Sequence, residues 1–125
     1  MATAKAKEIK WLSHIEEHNY VAAESYLSLI YNEKRAAAMV AKLRSARIVQ
    51  FKAKDIFHAS NLSLLGISNS HIDKDRKKIR KGIKLSPLLL ARDEQNGKVV
   101  IADGYHRLCA VYEVDEDALI PCKIL

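Results

Sequence analysis

A chain of 125 residues, 49% of them apolar and with a formal net charge of +6, can build one domain around a core of its own, which excludes a wholly disordered polypeptide. No apolar run nears the ~20 residues of a membrane-spanning helix and no charged-then-apolar leader opens the chain, so a soluble, cytoplasmic protein with no membrane partner is expected. Two cysteines, Cys109 and Cys122, are too few for a disulfide framework and read as small buried thiols.

The first 46 residues form a helical extension in this reading. Ile9, Leu12 and Ile15, with Trp11 alongside, make one apolar stripe. Asn19 is placed to cap a second helix through Ala22, Tyr26, Leu29 and Ile30, and Asn32 a third through Ala36, Met39, Val40 and Leu43. Joined by a short connection, these helices would bury their stripes against each other, or serve a homodimer. Tyr20, Tyr26 and Tyr31 read as amphipathic packing. His14 and His18 stand four apart on a helix face, a spacing that permits zinc, but no further ligand lies nearby.

The pattern changes at Arg47. Ile48 to Phe51 suit a strand, Lys54 to His58 a helical turn, and Asn61 to Asn69, with Gly66, a loop. Asn69 or Ser70 then caps a helix to about Lys81, closed by Gly82. Residues 71–84 hold seven Lys/Arg against two Asp/Glu. His71, Lys74, Lys78 and Lys81 share one face of that helix, and Ile72, Ile79, Ile83 and the Arg76 stem another. Leu88 to Arg92 and Lys98 to Ala102 read as a hairpin closed around Asn96-Gly97. A helix from Leu108, an acidic loop at Asp115–Asp117 and a last strand from Ile120 complete an α+β domain over residues 47–125.

The junction Asp103-Gly104-Tyr105-His106-Arg107 carries the functional expectation. A strand, a glycine turn and a helix start direct unpaired N–H groups and the positive helix pole at one point, where an anion is stabilised. Arg107 can grip a phosphate bidentately, His106 can donate or transfer a proton, and Lys74 and Lys78 can add point charge if the basic helix lies opposite. Asp103 can orient His106 or Arg107, coordinate magnesium, or simply cap the helix. Tyr105 can pack with its hydroxyl wet, and Asp55 can serve as acid or base only if the fold brings it to the cleft.

Residues 47–125 resemble the ParB/sulfiredoxin superfamily domain. The stretches that carry this are Gln50 to Ile56, His71 to Ile79 followed by Leu85 to Leu90, Ile101 to Arg107, and Ile120 to Lys123. The resemblance implies a small mixed sheet with helices and a nucleotide or phosphate pocket at Gly104, Tyr105, His106 and Arg107, with His71, Lys74 and Lys78 on the adjoining helix. In sulfiredoxins the turn reads Gly-Cys-His-Arg, so His106 and Arg107 match the phosphate contacts and Tyr105 stands where the nucleophilic cysteine would be. Free-serine kinases of the superfamily share the Asp-Gly-x-His-Arg turn, and Asp55 is the candidate for their catalytic acidic residue, beside Asp103 of the turn as the other catalytic candidate. The implied ligands are ATP, ADP or CTP, with magnesium, and the implied activity is phosphotransfer or nucleotide hydrolysis. The alternative is a non-catalytic module that contacts nucleic acid or a protein partner through residues 71–84.

Overall fold

The computed structural model describes residues 8–64 and 70–125. Four strands, β1 (Val49–Lys52), β2 (Leu88–Asp93), β3 (Lys98–Asp103) and β4 (Leu119–Ile124), form one mixed sheet in the order β1-β4-β2-β3. β4 runs antiparallel to β1 and parallel to β2, and β2 and β3 are an antiparallel hairpin. The hairpin turns through Glu94–Asn96, where the Asp93 carboxylate accepts the Asn96 N–H at 3.3 Å and Gly97 takes φ +63°.

Helices α1 (Glu17–Ile30) and α2 (Glu33–Ser45) cover one face of the sheet. The other face carries α3 (Ala53–Ser60), α4 (Ser70–Lys81) and α5 (Tyr105–Val114). The α+β class expected from the chain is thus what forms. β2 explains its own composition: Leu88 and Leu90 enter the core under α3–α5, while Leu89 and Ala91 enter the core under α1 and α2, all 0–1% exposed. A strand buried on both faces needs an unbroken apolar run rather than an alternation. On the α1/α2 side that core is Tyr20, Ala23, Leu27, Ala36, Val40 and Leu43 against Leu89, Ala91, Val100 and Ala102.

Four local expectations need correction. The stripe Ala22, Tyr26, Leu29 and Ile30 is exposed, and α1 packs through Tyr20, Ala23 and Leu27 instead. Ile9 to Ile15 is not helical. The Leu12 N–H donates to the Leu85 carbonyl at 2.8 Å, the Leu85 N–H donates to the Lys10 carbonyl at 2.9 Å, and Trp11 makes a parallel bridge with Leu85. Pairing with a distant segment wins over the local helical spacing, and it divides the stripe, with Ile9 and Trp11 against one core and Ile15 in the other. Asn19 is not a cap. α1 starts at Glu17, and Asn19 is buried inside it with its Oδ1 lacking a protein partner. Ile83 does not pack and is 47% exposed, because α4 has already ended: Gly82 at φ +71° lets the Ile83 N–H reach back to the Lys78 carbonyl at 2.9 Å.

Asn32 does cap α2, accepting the Arg35 N–H at 2.8 Å. α3 is longer than one turn, and its first amides are met by the acidic loop, Ala53 N–H on the Ala118 carbonyl and Lys54 N–H on the Glu116 carbonyl, both at 2.9 Å. Asn69, the alternative cap for α4, and Gly66 lie outside the described residues. Cys109 and Cys122 are fully buried and form no disulfide, and burial pushes the Cys122 thiol up to about 12, which keeps it from acting as a thiolate. Among the described residues no helix is long and apolar enough to cross a membrane.

Candidate functional site

The turn from β3 into α5 is fixed by a glycine that nothing else can replace. Gly104 has φ +110°, and a Cβ there would stand 2.7 Å from Leu88 Cγ and 2.9 Å from Arg107 Nη2. The backbone therefore presses directly onto the central strand. Gly104 holds the N-cap position of α5 with no side chain to bond the first amides, and its carbonyl accepts the Leu108 N–H at 2.9 Å. Asp103 does not act as the cap. Its Oδ2 accepts from Arg107 Nη2 at 2.8 Å, in a pair whose side chains are only 14% and 15% exposed. The same Nη2 reaches the Pro87 carbonyl at 3.3 Å, while the buried Arg107 Nε has no protein partner. Of the roles open to Asp103, orienting Arg107 is the one the geometry adopts, and one nitrogen of the guanidinium is thereby committed.

α4 supplies the opposite wall. Ile72 and Ile79 seat it in the core, and Arg76 Nε donates to Glu113 Oε2 at 3.0 Å, tying α4 to α5. The face left over meets the start of α5. A cleft of about 250 Å³ is lined by His71, Lys74, Asp75 and Lys78 from α4 and by Asp103, Gly104, Tyr105, His106 and Arg107 from the turn. The His71 and His106 rings stand 4.8 Å apart at 34°. The Tyr105 hydroxyl donates to the Ser63 carbonyl, which anchors the segment after α3 beside the turn.

Eight of the nine residues expected at the site line this cleft, and only Asp55 is elsewhere. Asp55 lines a separate cavity of about 220 Å³ with Phe51, Ile56 and Arg92, so the fold does not bring it to the turn. Lys81 shares the helix but not the lining. Asp75 is the residue that sequence reasoning missed. The signal was present: His71, Lys74, Asp75 and Lys78 follow the i, i+3, i+4, i+7 spacing of a single helix face. Among the described residues no group of three or more His, Cys, Asp or Glu side chains could hold a metal, and His14 and His18 lie exposed in and before α1.

The electrostatics follow from the crowding of cations. Burial raises the Asp75 carboxyl above its ordinary range, against the pull of Arg107, Lys78, His106 and His71. Burial, and then the neighbouring His71, lower His106 below the ordinary imidazole value, with Asp75 opposing and Arg107 adding to the effect. The surroundings of His106 thus favour its neutral imidazole.

An anion placed in the cleft would reverse this balance by favouring the imidazolium. Sulfate affinity should rise as pH falls from 7.5 toward 5.5, because binding takes up a proton at His106. Protonation of Asp75, which removes a negative charge from the cleft, acts in the same direction. His106→Gln and Asp75→Asn should each lessen the slope, as read by calorimetry; an unchanged slope in both variants would refute the assignment. The contribution of His106 to stability has the opposite trend. The unfolded state protonates its histidine near ~6.5, the folded state only lower, so His106 makes the protein less stable as pH drops through that window.

No family model matches the chain. Comparison with curated proteins and with solved structures likewise finds no match.

Proposed function

We propose that the protein binds a phosphate-bearing small molecule, a nucleotide, in the cleft between α4 and the N-terminus of α5. The observation that carries this reading is the convergence of Lys74 and Lys78 from one helix with His106, Arg107 and the first-turn amides of another on a single cleft of about 250 Å³. Side chains from two elements and the pole of a helix meet there, and each of them favours negative charge. The resemblance of residues 47–125 to the ParB/sulfiredoxin superfamily supports the same site. Sulfiredoxin chemistry is not part of the proposal, since Tyr105 occupies the place of the thiol and burial pushes its phenol up to about 12.

The chemistry such a lining favours is phosphoryl transfer to an acceptor or to water, which needs charge neutralisation and alignment more than a special nucleophile. Asp75 is the carboxylate placed to receive a proton or to meet a magnesium ion carried in by the phosphates. Asp103, already bonded to Arg107, fits that task less well. Magnesium held this way would neutralise phosphate charge, and it would take most of its oxygens from ligand and water.

Nucleic-acid binding through residues 71–84 has less to stand on. Arg76 is paired with Glu113, Lys77 lies 3.6 Å from Asp73, and His71, Lys74 and Lys78 turn into the cleft. A thermal-shift panel of ATP, ADP, CTP, GTP, pyrophosphate and sulfate, with and without magnesium, tests the proposal. Lys74 and Lys78 are exposed, so the double variant Lys74→Ala/Lys78→Ala should keep its stability within ~0.5 kcal/mol. It should lose about tenfold or more in anion affinity. Equal shifts in wild type and variant would overturn the proposal, and binding of a labelled duplex that survives the double substitution would favour the nucleic-acid reading instead.

A further inference from the structure

A second groove, of about 420 Å³, opens on the other side of the Gly104 turn. Ile101 and Ala102 at the end of β3 line it, together with Ala22 and Tyr26 of α1 and Leu62 from the segment that follows α3. It shares Asp103, Gly104, Tyr105 and His106 with the phosphate cleft, so the two cavities meet across the turn. Their characters differ. The cleft adds His71, Lys74, Asp75, Lys78 and Arg107, whereas the groove adds only apolar and aromatic side chains. Tyr26 and Leu62, both large, are each 44% exposed.

Resting on the phosphate-binding reading, we infer that the groove between Tyr26 and Leu62 holds the base of a nucleotide whose phosphates lie in the cleft. Sites for ligands of drug-like size span ~300–1,000 Å³, so the cleft of about 250 Å³ takes a phosphate chain and leaves the rest of a nucleotide to be housed next door. Continuity with the cleft names the occupant. A free phosphate has no use for Tyr26, and an uncharged apolar molecule has no use for Lys74 and Lys78; a flat ring joined to an anionic chain uses both. Stacking on an aromatic face accepts any base, so purine and pyrimidine nucleotides both gain from it. Ala22 and Tyr26 lie in α1, outside the stretch that resembles the superfamily, which gives the N-terminal helices a part in the site.

Calorimetric titration of the full chain with ATP, CTP and tripolyphosphate tests this. In wild type, ATP and CTP should bind about tenfold or more tighter than tripolyphosphate. Tyr26→Ala should bring both nucleotides to the level of tripolyphosphate and leave tripolyphosphate where it was. Leu62→Ala gives a second readout on the opposite wall, independent of whether Tyr26→Ala folds. Equal wild-type affinities for ATP and tripolyphosphate, or a Tyr26→Ala loss equal for both, would overturn the base groove and leave the phosphate cleft standing. Tripolyphosphate binding that ignores Lys74→Ala/Lys78→Ala would overturn the phosphate cleft, and the base groove with it.

Discussion

Gly104→Ala should destabilise the protein by about 3 kcal/mol, or roughly 10 °C in Tm for a domain of this size. Two effects add. At φ +110° any Cβ strains the backbone, and here the new methyl would lie 2.7 Å from Leu88 Cγ and 3.1 Å from Leu88 Cδ1. Leu88 is fully buried in the central strand and has nowhere to retreat. Gly97→Ala supplies the control, since Gly97 also has positive φ, +63°, but a Cβ there meets nothing within 4 Å. It carries the conformational cost alone and should lose only ~1–2 kcal/mol. Urea unfolding of both variants separates the terms. Equal losses would mean that the contact with Leu88 is relieved at no cost and that Gly104 serves conformation only. Sulfate binding should fall in Gly104→Ala as well, because the start of α5 must shift for the methyl to fit.

The features legible in the chain were those written in local residue chemistry. Asn32 caps α2, Gly82 closes α4 and Asn96-Gly97 turns the hairpin, because each act needs only neighbours a few residues away. The errors came where a distant segment decides. Residues 9–15 carry helical spacing, yet they pair with Leu85, more than seventy positions on. Nothing in their own sequence encodes that partner. The same holds for α1 and α2. The α2 face of Ala36, Val40 and Leu43 was readable, but the stripe read for α1, Ala22, Tyr26, Leu29 and Ile30, is exposed, and only the sheet shows that Tyr20, Ala23 and Leu27 are what cover Leu89 and Ala91 of β2.

The candidate site divides along the same line. The Gly104 turn and the cationic face of α4 were visible separately, the first as a strand–glycine–helix junction and the second as a helical wheel. Their meeting depends on tertiary packing, on Ile72 and Ile79 in the core and Arg76 on Glu113. Asp55 failed for the converse reason: its sequence position beside a strand end suited a site, but α3 turns it toward Arg92 and a different cavity. The groove beside Tyr26 was beyond reach from sequence, since it joins residues of α1, β3 and the segment after α3 that only the fold assembles.

Arg107→Met should cost about 3 kcal/mol, because it strands the Asp103 carboxylate at a position only 14% exposed and removes a donor from the Pro87 carbonyl. Most of that cost belongs to the abandoned charge rather than to the pair. The double variant Asp103→Asn/Arg107→Met should therefore recover part of the loss, with a coupling energy of at least ~1 kcal/mol by urea unfolding of all four proteins. A cycle that closes to within ~0.5 kcal/mol would show the pair behaving as an exposed one and would refute this account. The single variant Asp103→Asn then separates stability from binding. It removes a negative charge from the cleft and leaves Arg107 Nη2 to the ligand, so sulfate should bind about three- to tenfold tighter while the fold loses ~1 kcal/mol. If the cleft binds phosphate as proposed, the pair holds the guanidinium in place at the expense of anion affinity, and an entering phosphate would compete with Asp103 for the nitrogen that anchors the turn.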